Sequence, residues 1–182
     1  MERARRLATE IRTTGFSCRM CGRCCTRGDD DSMLVLASAP EVRAIMAYTG
    51  RTWDEIAEPY PEWIPAGDGG EFTLAWCLRR TDEACIFLSE EKKCMIYPVR
   101  PLICRTYPFA LEDGELAVYA CPGIGECAVC SEADAIAEEC IRRDAAEADD
   151  ARKTEEIFMT MKLGPGERAV VDSEGVKRVW VK

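Results

Sequence analysis

Basic and apolar positions over residues 2–12 fall at helical spacing and predict a short basic amphipathic helix that ends before Gly15. A cysteine-rich loop follows and closes on the acidic run GDDDS at 28–32. The apolar run MLVLA at 33–37 reads as a short buried strand. Two capping boxes then open helices, Ser38 with Glu41 and Thr52 with Glu55, with Gly50 ending the first helix and Pro59 the second. Val42, Ile45 and Met46 form the buried face of the first. Three prolines and three glycines make 59–70 a loop, after which 71–78 and 84–88 have strand character. Asp113-Gly114 marks a hairpin turn between short apolar strands over 111–119. Ser131, with Asp134 three residues on, opens a long helix running to about Leu163. Its middle, 144–156, carries only small apolar residues, so it suits solvent or a partner as well as a core. A terminal hairpin is expected from 169–172 and 176–181 around Glu174-Gly175.

These elements add up to an α+β fold: a small, irregular, loop-rich, metal-centred domain at 1–130, extended by a C-terminal helix and β-hairpin at 131–182. An apolar fraction of 47% suffices for a core. Basic residues number 24 against 33 acidic ones, a net charge of −9 that disfavours nucleic acid and anionic membrane as partners. Residues 1–15 lack the apolar stretch of a secretion signal, and no run approaches the ~18 apolar residues of a membrane span. The expectation is a cytoplasmic protein.

Twelve cysteines and no histidine change the picture. In a reducing compartment clustered thiols read as metal ligands rather than disulfides. Cys18, Cys21, Cys24 and Cys25 lie within eight residues, and the CxxCxxC spacing of the first three lets one tight loop present three sulfurs to a common centre. Adjacent side chains diverge, so Cys24 and Cys25 suit two centres, or one ligand and one supporting thiol. Gly22 supplies the permissive backbone. A second block carries Cys85, Cys94 and Cys104, then Cys121. Its prolines at 98, 101 and 108 prevent long regular elements, and Tyr97, Tyr107 and Phe109 either wall off the site or pack a core. Both blocks are locally basic, through Arg19, Arg23 and Arg27 and through Arg100 and Arg105, which either stabilise a negatively charged thiolate centre or are ordinary solvated or phosphate-binding side chains.

Taken in order, FSCRMCGRCC, CIFL, KKCMIYPVRPLICRTYPF and CPGIG resemble the YkgJ-type cysteine-cluster family, the CxxCxxCC zinc- or iron-chelating domain, over 16–125. The resemblance implies a small metal-chelating domain, often labelled an iron–sulfur protein or oxidoreductase. Its eight characteristic cysteines map onto Cys18, Cys21, Cys24, Cys25, Cys85, Cys94, Cys104 and Cys121. A similar motif in flagellin lysine methylases makes cluster-dependent methyl transfer a remote option. Outside the shared pattern stand Cys77, Cys127, Cys130 and Cys140, read as buried or redox-idle thiols unless the Cys127/Cys130 pair supplies a further site.

All-sulfur coordination fits Zn²⁺ or iron–sulfur clusters, and the absence of histidine excludes Rieske and mixed Cys/His zinc sites. One CxxCxxC joined by scattered single cysteines, together with the Cys121-Pro122 pair, lies closer to cluster ligation, and a [4Fe–4S] centre is favoured. That reading implies electron transfer or redox sensing with a protein partner. Zinc would instead make a structural or interaction module without catalysis, and passing an ion between spare thiols is a third role. The chain has no histidine base, no phosphate-binding glycine loop and no SAM-type glycine signature, so independent catalytic turnover has no support.

Overall fold

The computed structural model describes residues 2–26, 34–67, 69–127 and 132–179, and the fold is α+β, as expected. The acidic run at 28–32, Arg27, Cys130, Ser131 and the end of the terminal strand lie outside the described residues. The chain packs as two compact units, each drawn from two stretches: Met1–Met33 with Thr81–Ala146, and Leu34–Arg80 with Glu147–Lys182.

In the first unit, helix α1 (Glu2–Thr13) turns Leu7, Ala8 and Ile11 inward against Ala133, Ala137 and Cys140 of the long helix Ala133–Phe158. Arg3 pairs with Asp144 at 2.9 Å and Arg12 with Asp134 at 2.7 Å, so α1 runs antiparallel to that helix. The basic face of α1 is thus met by the protein's own carboxylates. Phe16 and Phe109 complete this core, edge to face with centroids 5.3 Å apart. The expected hairpin forms from Phe109–Glu112 and Glu115–Val118, and Asp113 (φ 50°) and Gly114 (φ 83°) both take the left-handed conformation of a two-residue turn.

The second unit is built on ladders. Helix α2 (Ala39–Thr49) starts where the Glu41 carboxylate accepts hydrogen bonds from the Ser38 backbone N–H (2.8 Å) and hydroxyl (2.9 Å), and it ends on Gly50 at φ 71°. Val42 and Ile45 are buried and Met46 partly so. Helix α3 (Trp53–Ile56) has its Thr52/Glu55 box but stops after four residues instead of reaching Pro59. Residues Ala57–Pro59 become β2 instead, because pairing with the strand Trp76–Leu78 satisfies their backbone groups and the residue before a proline disfavours helix. Strand β1 is only Leu36–Ala37, also paired to Trp76–Leu78. The expected strand 71–78 splits in two: Glu71–Thr73 joins one sheet and Trp76–Leu78 the other. Ile64–Pro65, within the expected loop, pairs with Glu71–Thr73. The terminal hairpin forms from Arg168–Asp172 and Gly175–Arg178, its turn at Ser173-Glu174 one residue before the expected Glu174-Gly175, and lies parallel to Glu71–Thr73 through its first strand. Beneath it Phe72, Leu163, Ala169 and Val171 form a core. No described helix is long and apolar enough to cross a membrane.

The long helix ends at Phe158, five residues short of Leu163, which folds back into that core. Its middle is solvated and carries its own ion pairs, Arg152 with Asp149 and Glu156, and Lys153 with Asp149. Residues 84–88 are not a strand. Isolated bridges join Thr26 to Ala84 and Leu88 to Cys94, and turns such as Leu88 N–H to Cys85 C=O (3.0 Å) satisfy the backbone locally.

Candidate metal centre

All eight cysteines of the expected ligand set belong to the first unit. The knuckle begins at Phe16, pinned by Phe109, and turns through left-handed conformations at Met20 (φ 50°) and Gly22 (φ 73°). A left-handed methionine costs roughly 1–2 kcal/mol, whereas glycine takes that conformation freely. A single 3-10 turn, Arg23–Cys25, follows.

Two other segments clamp this loop from its two ends. On the entry side the Ser17 N–H donates to the Gly123 C=O (2.9 Å), the Gly125 N–H to Thr14 C=O (3.0 Å) and the Cys127 N–H to Gly15 C=O (3.0 Å). The approach is so close that a Cβ on Gly123 would stand 2.3 Å from the Ser17 oxygen. On the exit side the Cys85 N–H donates to the Cys25 C=O (2.8 Å), Thr26 bridges Ala84, and a Cβ on Gly22 would press on Lys92 at 3.1 Å and Leu88 at 3.3 Å. The segment carrying Cys121 is thereby held at the start of the knuckle, and the one carrying Cys85 and Cys94 at its end. Cys104 rides on the short helix Leu102–Thr106, beside Cys85, Cys94 and Cys24.

Three of the cysteines share a local device that spacing did not reveal. The Gly123 N–H donates to the Cys121 sulfur (3.4 Å), and the Phe87 and Ile96 N–H groups point in the same way at the sulfurs of Cys85 and Cys94. Each donor lies two residues past its cysteine and is locked in place: Phe87 and Ile96 are buried, and Gly123 is wedged against Ser17. An N–H aimed at sulfur favours the thiolate, the form that binds metal. The readable signal was a cysteine followed at the second position by a large apolar residue or glycine.

Electrostatics link the same groups. Cys24 and Cys25 stand 3.9 Å apart, sulfur to sulfur. Cys24 is lowered to about 7, first by its hydrogen bond with Cys25, with Arg100 also contributing. Cys25 is pushed up by that bond, then by burial and by charge at Cys24, Cys85 and Cys104. Burial raises Cys85, Cys94, Cys104 and Cys121, and charge on neighbouring sulfurs adds to each rise. For Cys121 those neighbours are Cys21, Cys18 and Cys24. Sulfurs that repel one another as anions are sulfurs a cation would hold together. As they stand, no three Cys, Asp or Glu side chains among the described residues already have the spacing of a metal site. The donor set nevertheless fits one, being all sulfur, exposed at Cys18, Cys21 and Cys24, and supplied with N–H donors.

The arginines divide. Arg100 stacks on Tyr97 at 3.7 Å and lowers Cys24, Cys94 and Cys104 by its charge. Arg19 pairs with Glu126 beside Cys21 and Cys121. Arg105 braces the loop instead, donating to the carbonyls of Arg100 (2.8 Å) and Pro98 (3.2 Å). Phe109 is core, Tyr97 is half exposed, and the Tyr107 hydroxyl bonds the Ala120 carbonyl. Of the cysteines outside the pattern, Cys127 donates to the Phe16 carbonyl (3.4 Å) and packs on the α1 core. Burial raises Cys140 to about 11 and, in the second unit, Cys77 to about 12.

The family described as "CxxCxxCC: Putative zinc- or iron-chelating domain" matches residues 17–140. An uncharacterized protein of Methanocaldococcus jannaschii is 34% identical over 106 residues, which is 57% of this chain and 50% of that protein. The chain thus spans half the length of that relative. No solved structure matches.

Proposed function

The chain belongs to the CxxCxxCC zinc- or iron-chelating family, and on that premise we propose that its thiolates hold an iron–sulfur cluster of the [4Fe–4S] type in an electron-transfer or redox-accessory role. The observation that supports the reading is the clamped knuckle, whose entry beside Cys18 is hydrogen-bonded to the Cys121-Pro122 segment, the Cys121 sulfur receiving a backbone N–H. Three sulfurs at CxxCxxC spacing with a cysteine-proline fourth match the donor pattern of bacterial ferredoxins. Such a cluster, when bound, supplies one-electron chemistry.

The protein's own groups tune and expose it. N–H donors and the Arg100 and Arg19 guanidiniums offset thiolate charge, which favours the reduced form of a negatively charged centre. The exposed Cys18, Cys21 and Cys24 let a partner protein approach the sulfurs directly. Full-length protein purified without oxygen should be brown, with sulfide-to-iron charge-transfer absorption and acid-labile sulfide. A colourless protein with stoichiometric zinc and no sulfide would establish the structural zinc module in its place.

A further inference from the structure

The segments that carry the eight cysteines are anchored at opposite ends of the knuckle. The Cys121 segment is bonded to the entry of the knuckle, through Ser17–Gly123 and Gly15–Cys127, and the Cys85–Cys94 loop to its exit, through Cys25–Cys85 and Thr26–Ala84. Their N–H-supported sulfurs therefore arrive from opposite ends of one short loop. Cys104 interacts with Cys85 and Cys94, and Cys121 with Cys18 and Cys21. Cys24 faces both sets, and Cys25, whose carbonyl anchors Cys85, interacts with Cys85 and Cys104.

We infer that the cysteines form two separate four-sulfur sites, Cys18, Cys21, Cys24 and Cys121 in one and Cys25, Cys85, Cys94 and Cys104 in the other. Four sulfurs complete a tetrahedral ion or a cubane cluster. The exit group already reaches four with Cys25, which leaves Cys24 to complete the entry group. The adjacent pair is thus divided between the two sites, its two sulfurs, 3.9 Å apart, each turning to a different ion. The inference rests on the metal-binding reading above and adds the ligand grouping to it.

The test uses the full-length chain, reduced and loaded anaerobically with ¹¹³Cd²⁺ alone, with bound metal counted and the ¹¹³Cd spectrum recorded, since the chemical shift reports how many sulfurs surround each ion. Two bound ions and two all-sulfur resonances are expected. Cys121→Ser and Cys24→Ser should each move or abolish one resonance, and Cys104→Ser and Cys25→Ser the other, the second resonance keeping its full sulfur count every time. If Cys104→Ser does not fold, Cys94→Ser reports on the same group, and Cys18→Ser likewise stands in for Cys121→Ser. One bound ion, or variants from both groups striking the same resonance, would overturn the grouping while leaving metal binding intact. No bound cadmium at all would overturn the metal-binding reading and the grouping with it.

Discussion

The two units solve the same problem in opposite ways. In the second, strands of two to five residues satisfy the backbone through ladders, and Phe72, Leu163, Ala169 and Val171 close a buried core against the terminal hairpin. In the first, the segments that carry the cysteines have almost no ladder. They are turns held by single backbone bonds, with sulfurs half exposed, and the apolar core lies to one side under α1. Burial can stabilise the second unit unaided. The knuckle and the 84–106 segment bury few side chains, chiefly Phe16, Phe87, Ile96, Pro101 and Thr106, so their order should depend on the bound metal.

The sharpest way to break this contrast is to remove the metal. Chelation should abolish amide-exchange protection at 16–26 and 84–106 while leaving 168–178 unchanged, because metal binding of ~10 kcal/mol or more is folding energy in such sites. Hydrogen-exchange mass spectrometry on the same sample reads both regions, and equal loss in the two would erase the distinction. Phe109→Ala, which removes the ring that pins Phe16 and hence the start of the knuckle, should cost about 3–4 kcal/mol in denaturant unfolding of the first unit. In the second unit the buried Asp172 accepts from the Trp76 indole N–H (2.8 Å), the Lys177 ammonium (2.7 Å) and the Glu174 N–H (2.9 Å). Asp172→Ala should therefore cost about 2–3 kcal/mol there and leave metal content unchanged.

A finer distinction concerns thiol chemistry. In metal-free protein at pH 8, iodoacetamide followed by mass spectrometry should label Cys24, lowered to about 7, well before Cys77, pushed up to about 12, since the thiolate is the nucleophile. The sign for stability follows. Because folding raises the Cys77 pKa, its contribution is complete below about pH 8.5, the ordinary thiol value, and is lost as pH rises through about 12. Cys77→Ala should be the mildest change, near 1 kcal/mol, with no loss of bound metal. Metal loss in that variant would draw the second unit into the site.

What could be read ahead of the structure was local. Both capping boxes, the Asp113-Gly114 turn, the α1 face and the terminal hairpin depend on contacts within a few residues, and each formed within a residue of its expected place. Family membership was legible for the same reason, as CxxCxxC and the RPLICRTYPF element are short-range patterns. Misreadings came where a distant partner decided. Residues 57–59 left the helix for a strand, 71–78 was shared between two sheets, and 84–88 became turns. The N–H groups aimed at Cys85, Cys94 and Cys121 escaped notice because burial of Phe87 and Ile96, and the contact of Gly123 with Ser17, hold them there.

By itself, then, the order of residues determined the donor chemistry, twelve thiols without an imidazole, and those helices and turns whose hydrogen bonds close within four or five positions. Tertiary structure alone decided that two units interleave along the chain, that Glu71–Thr73 runs parallel to Arg168–Asp172, and that the knuckle is gripped from both ends. Each of these depends on closing a loop of tens of residues, and whether that entropy is recovered turns on surfaces that meet only once the chain has folded.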